Sequence, residues 1–151
     1  MNLKRALLYA GLVLVLTPPA FAQFRKMEEA QRYRQGVMNV MGNHLYARIG
    51  GMANGRIPFD AKAAADNAEI VATLSKLPWV AFPQGSDGGN TNAKANIWTE
   101  QDKFKDLAEK MQAEVAKLVA TTKTGNLDSL KLSYRATANA CKACHDAFVN
   151  E

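Results

Sequence analysis

The stretch TGNLDSLKLSYRATANACKACHDAFVNE, residues 124–151, decides how the chain folds. After the Thr124-Gly125-Asn126 break, Leu127, Leu130, Tyr134, Ala138, Cys141, His145 and Phe148 recur at three- and four-residue steps. That period belongs to an amphipathic helix and not to a strand. Its final turns hold Cys141-Lys142-Ala143-Cys144-His145, and the chain has only two cysteines and two histidines in all. Residues three or four apart share a helix face, so the thiols and the imidazole lie on the side that also carries Leu130, Tyr134 and Phe148.

Working outward, three earlier stretches carry the same period. The first holds Ala30, Tyr33, Val37, Met38, Met41 and Leu45, and ends near Gly50-Gly51. The second opens at Asp60, a good N-cap residue, carries Ala64, Ala68, Val71 and Leu74, and stops before Pro78. A third begins after Thr99, another N-cap type, with Phe104, Leu107, Met111, Val115 and Leu118. Each is roughly 16–24 residues long, which suits a bundle. No stretch reads as a strand, since Val80-Ala81-Phe82 is short and bracketed by Pro78 and Pro83. Short connections favour antiparallel neighbours. The connection from Pro78 to Ile97 is long, and loops of that length tend to be functional. The expectation is an all-α antiparallel four-helix bundle.

Composition agrees with one core of this kind. The chain has 151 residues, 48% hydrophobic and 22% charged, with 19 Lys+Arg against 14 Asp+Glu. Ten Gly and five Pro exclude a collagen-like or low-complexity chain. Residues 1–22 read as a cleavable secretory leader. Lys4 and Arg5 precede an apolar run, Ala6–Leu16, and the segment closes in Ala20-Phe21-Ala22. The run is too short for the ~20 residues that span a bilayer. The expected mature domain is 23–151: exported to the periplasm, free of the membrane after leader cleavage, and too weakly basic without Lys4 and Arg5 to argue for nucleic acid.

C-x-x-C-H is the attachment motif of c-type haem. Cysteines three apart on one helix face reach the two vinyl groups along a haem edge, and His145 supplies an axial nitrogen. A thioredoxin-like C-x-x-C belongs beside a strand, a zinc site wants four ligands, and a disulfide would leave His145 unexplained. One covalently attached haem c is therefore expected, with Cys141 and Cys144 as the thioether residues and His145 as the metal ligand. Met38 sits on the inward side of the first helix. As an apolar residue it reads equally as core filler or as a second axial ligand.

The mature chain resembles the cytochrome c′ family, the class II c-type cytochromes, along essentially its whole length. The marks are Gln23-Phe24, Tyr33-Arg34-Gln35, Leu77-Pro78-Trp79 with Phe82, Gly88-Gly89, Ile97-Trp98 and Cys141 to Phe148. The resemblance implies five-coordinate, high-spin iron, with Met38 packing over an open position. Low-spin relatives carry their ligating Met where this chain has Arg34, and a protonated guanidinium cannot ligate iron. The alternative is a dedicated low-spin, six-coordinate electron-transfer cytochrome with Met38 as axial ligand.

By the same resemblance Arg34 and Gln35 lie at the haem edge near a propionate, although their residue types read as exposed helix positions. Asn90 falls near the other propionate, and Trp79 and Phe82 wall the pocket. His44 has no family role and reads as a surface histidine. Val149 stands where relatives commonly have Arg or Lys. The implied function is binding of NO or CO with some electron transfer, hence a redox partner protein, and no catalysis. Homodimers through the first two helices are common in the family, and Gly36, Ala64 and Ala68 are small enough for close helix approach.

Overall fold

The computed structural model describes residues 23–150. The leader read over residues 1–22 lies outside them. The first helical arm is α1 (Met27–Gly42), continued without a break by a π-helical stretch, Asn43–Ile49, and a last turn, α2 (Gly50–Ala53). Then come α3 (Ala61–Leu74), 3-10 turns at Pro78–Ala81 and Ala95–Trp98, α4 (Gln101–Thr122) and α5 (Leu127–Phe148). Counting the arm as one, these are four helices around one core, an antiparallel four-helix bundle.

The arm runs through Gly50 and Gly51 instead of ending there. Both glycines are buried, and a Cβ built on Gly50 would stand 2.6 Å from the Tyr134 hydroxyl oxygen. The glycine thus serves the close approach of α5. Helix-breaking propensity, roughly 1 kcal/mol against alanine, yields to that packing. The arm ends at Ala53, two residues past Gly51, and Gly55 then takes a φ of 70°.

Asp60 caps α3, its carboxylate accepting from the Ala63 N–H at 2.9 Å. Asn126 caps α5, accepting from the Ser129 N–H at 2.8 Å. Thr99 does not cap α4. Its hydroxyl donates back to the Asn96 carbonyl within the preceding 3-10 turn, and Glu100 takes the N-cap position without a side-chain cap bond. The local turn therefore outcompetes the helix for that hydroxyl.

The core joins Met41, Leu45, Ile49 and Met52 of the arm to Ala64, Ala68 and Val71 of α3, Met111, Val115 and Leu118 of α4, and Leu130 of α5. Ala64 and Ala68 are fully enclosed within this chain's own core, so they are not exposed surface for a second copy. His44 is half-buried instead of standing on the surface. Its Nδ1 pairs with Asn67 Oδ1 at 2.7 Å, tying the π stretch to α3.

The long connection is held at several points. Trp98 Nε1 donates to the carbonyls of Phe82 and Pro83 at 3.2 and 3.0 Å. Its end pairs with the chain's C-terminus through an antiparallel bridge between Ala93 and Val149, the one β-pairing among the described residues.

Candidate haem-binding site

At one end the arm, α4, α5 and the long connection enclose a cavity of about 430 Å³, within the usual range for cofactor pockets. The last two turns of α5 bring Cys141, Cys144, His145 and Phe148 to it. The arm contributes Met38, Met41, Leu45 and Tyr46, and α4 contributes Phe104, Leu107 and Met111. Trp79 and Phe82 form a wall with the aromatic rings of α4 and α5. The Trp79 and Phe82 rings lie 6.5 Å apart, Phe82 and Phe104 4.9 Å, and Phe104 and Phe148 5.3 Å. At the rim stand the polar residues Arg34, Gln35 and Asn90 to Asn92. All nine residues singled out in the sequence border this cavity: Arg34, Gln35, Met38, Trp79, Phe82, Asn90, Cys141, Cys144 and His145.

Their environments differ from what residue type suggests. Arg34 is buried, with 3% of its surface exposed. Its Nη1 donates to the Ala81 carbonyl at 2.8 Å and the Ser86 hydroxyl at 2.7 Å. Its Nη2 donates to the Ser86 carbonyl at 2.6 Å and the Thr91 hydroxyl at 3.1 Å. The guanidinium carbon also lies 4.5 Å from the Phe82 ring centroid, a cation–π contact. Burial draws the guanidinium below its ordinary pKa, and Asp87 opposes the shift. Arg34 therefore pins the long loop to α1. Gln31 assists, donating to the carbonyls of Ser86 and Gly88. Gln35 is exposed and donates to the Asn90 carbonyl at 2.9 Å, which fixes the rim.

Burial pushes the Cys141 thiol up, and pushes Cys144 up to about 11 with help from its neighbour Cys141. Both sulfurs are therefore neutral thiols at pH 7 in the haem-free chain. The Tyr46 phenol is likewise raised by burial, then by Cys141 beside it. His145 is exposed and borders the cavity mouth. Val149 also lines it, in extended conformation at φ −123° and ψ 132°.

A flat macrocycle with an apolar body and two carboxylates fits these residues. The lining is dominated by Met, Leu and aromatic side chains, the polar groups gather at the rim, and two thiols and an imidazole sit on one helix face. Tyr46 was not foreseen as part of the lining. In a continuous α-helix it lies about 80° from Met38 at ~100° per residue. The wider π turn advances each residue by less and returns the tyrosine toward the cavity, and nothing in the local sequence announces that turn. Thr91, Asn92 and Ala93 join the lining through loop geometry alone.

Residues 29–149 match the family model described as cytochrome c′. The chain is 46% identical over 127 residues to cytochrome c′ of Rubrivivax gelatinosus, covering 83% of this chain and 98% of that one. The crystal structure of cytochrome c′ from that organism superposes with a TM-score of 0.80 at 45% identity, covering 85% of this chain and all of the other. A nitric oxide complex of a variant of cytochrome c prime from Alcaligenes xylosoxidans gives 0.79 at 36% identity, over 85% and 99% of the two chains. The chain belongs to the cytochrome c′ family. That family binds one covalently attached haem c, and Cys141 and Cys144 supply the two thioether positions here.

Proposed function

We propose that this cytochrome is an exported, periplasmic haem protein that binds nitric oxide and carbon monoxide at an open iron position and passes electrons to a partner protein, without being an enzyme. The single observation that carries this reading is the pairing of Met38 with Arg34. The position from which low-spin relatives ligate the metal is filled by an arginine whose terminal nitrogens are all engaged by the loop. The similarity to a protein solved as a nitric oxide complex supports the ligand class.

Haem, when bound, supplies iron with a coordination position for a diatomic gas. The chain does the rest. Cys141 and Cys144 would hold the group, and His145 would supply a nitrogen ligand to its metal. Met38, half-buried on the arm, lines the same cavity and would yield to an entering ligand by rotating its flexible, unbranched side chain. Small size is therefore what admits a ligand. Met38 offers no hydrogen-bond donor, which disfavours stable oxygen carriage. His44 is tied to Asn67, which leaves no distal His–Arg pair for peroxide cleavage. Among the described residues no helix is long and apolar enough to cross a membrane.

A homodimer through the arm and α3 is part of this proposal. Val40 and Ile70, apolar and exposed at 48% and 39%, lie on those elements, and a Cβ on Gly36 would meet nothing within 4 Å.

An absorption spectrum of the ferrous protein with and without CO tests the open position. We expect a high-spin spectrum that converts on CO addition, and faster CO association in Met38→Ala. A low-spin spectrum indifferent to CO, turning high-spin in that variant, would establish Met38 as a ligand and overturn the proposal.

A further inference from the structure

The last four carbonyls of any α-helix lack partners within it, and the end of α5, which carries His145, meets that need in an unusual way. Only the His145 carbonyl is served locally, by the Val149 N–H at 2.8 Å. The Asp146 carbonyl accepts from Lys94 Nζ at 2.9 Å, the Ala147 carbonyl from Asn96 Nδ2 at 3.3 Å, and the Phe148 carbonyl from the Lys94 backbone N–H at 2.9 Å. One residue further, the Asn150 N–H donates to the Asn92 carbonyl at 2.7 Å. The donors are about fifty residues away in sequence. By contrast, α3 and α4 close on residues that follow directly, such as Ser75 to Val71 and Gly125 to Thr122.

We infer that Lys94 and Asn96 are positioning residues for His145: the 92–96 segment is a strap that fixes the end of α5 and thereby holds His145 at the border of the cavity. The strap is firm because its own loop is anchored on the far side of the cavity, where Arg34 Nη2 bonds the Thr91 hydroxyl, which in turn accepts from the Ala93 N–H at 3.2 Å. Segments on both sides of the cavity are thus bonded into one frame around its rim. The inference rests on His145 being the metal ligand.

Lys94 has φ −73° and ψ 145°, angles a proline adopts freely. Lys94→Pro therefore removes the N–H to Phe148 and the ammonium to Asp146 without forcing the backbone at that residue. Asn96→Ala removes the bond to Ala147. Asn126→Ala, at the opposite end of the same helix, destabilises α5 without touching the strap. The measurement is the iron–histidine stretching band of the ferrous holoprotein by resonance Raman, alongside Tm. We expect the band to move to lower frequency and broaden in Lys94→Pro and Asn96→Ala, and to stay fixed in Asn126→Ala despite a lower Tm. A band unchanged in both strap variants would overturn the positioning role and leave the ligand reading intact. Absence of the band from the parent protein would remove His145 from the metal and defeat both.

Discussion

The two ends of the bundle use apolar residues differently. Away from the cavity Ile49, Val71, Val115, Leu118 and Leu130 interdigitate, each nearly or wholly excluded from solvent. Short aliphatic side chains let four helices meet at crystal-like density. At the open end the same helices carry Met38, Phe104 and Phe148, with Trp79 and Phe82 from the loop, and keep a cavity of about 430 Å³. Long, flexible or flat side chains stand at a wall without filling the space behind it. The closed end therefore folds by its own packing, whereas the open end is completed by a planar group.

That contrast can be broken in three ways, beginning with the most severe. Replacing both cysteines, Cys141→Ser and Cys144→Ser, eliminates covalent haem, read as loss of the added tetrapyrrole mass in the denatured protein. Hydrogen exchange of this variant should speed up around Phe104 and Phe148 while Val71 and Leu118 keep their protection. Equal loss at both ends would abolish the distinction.

Next in size is Leu118→Ala. Truncating this fully buried residue should cost about 2–5 kcal/mol in denaturant titration, against a clearly smaller loss for Met38→Ala on the cavity wall. The mildest change is Gly50→Ala. A Cβ there collides with the Tyr134 ring and hydroxyl, for a cost of about 1–3 kcal/mol. Combining it with Tyr134→Leu should recover part of that loss in a double-mutant cycle, and full additivity would mean the two residues do not meet.

Much of this was legible in the sequence, because it depends on short-range chemistry. Helix period, the Asp60 cap, the Thr124-Gly125-Asn126 break and the C-x-x-C-H spacing all act within a few residues of themselves. The bundle and the attachment residues follow from them. What escaped depends on partners far along the chain. Thr99 has the right residue type for a cap, but the turn behind it captures its hydroxyl. Arg34 resembles a solvated helix arginine until loop residues some fifty positions away supply its four acceptors. Gly50 reads as a terminator unless Tyr134 is known to lie against it. His44 finds Asn67 across a helix pair. The π stretch leaves the hydrophobic period nearly unaltered while changing which residue faces the cavity, and for that reason Tyr46 was missed.

The π-helical Asn43–Ile49 stretch has a consequence for how the chain tolerates insertion and deletion. An indel in a surface loop is absorbed where it occurs, but one residue removed between positions 43 and 49 would tighten the rod to ordinary pitch. A cut just after Tyr46 would leave that residue about 80° from Met38 at ~100° per residue, swung away from the thiols while Met38 stayed put. Spacing along this stretch is therefore itself part of the binding pocket's specification, and whoever shortens it edits the pocket without substituting any residue that lines it.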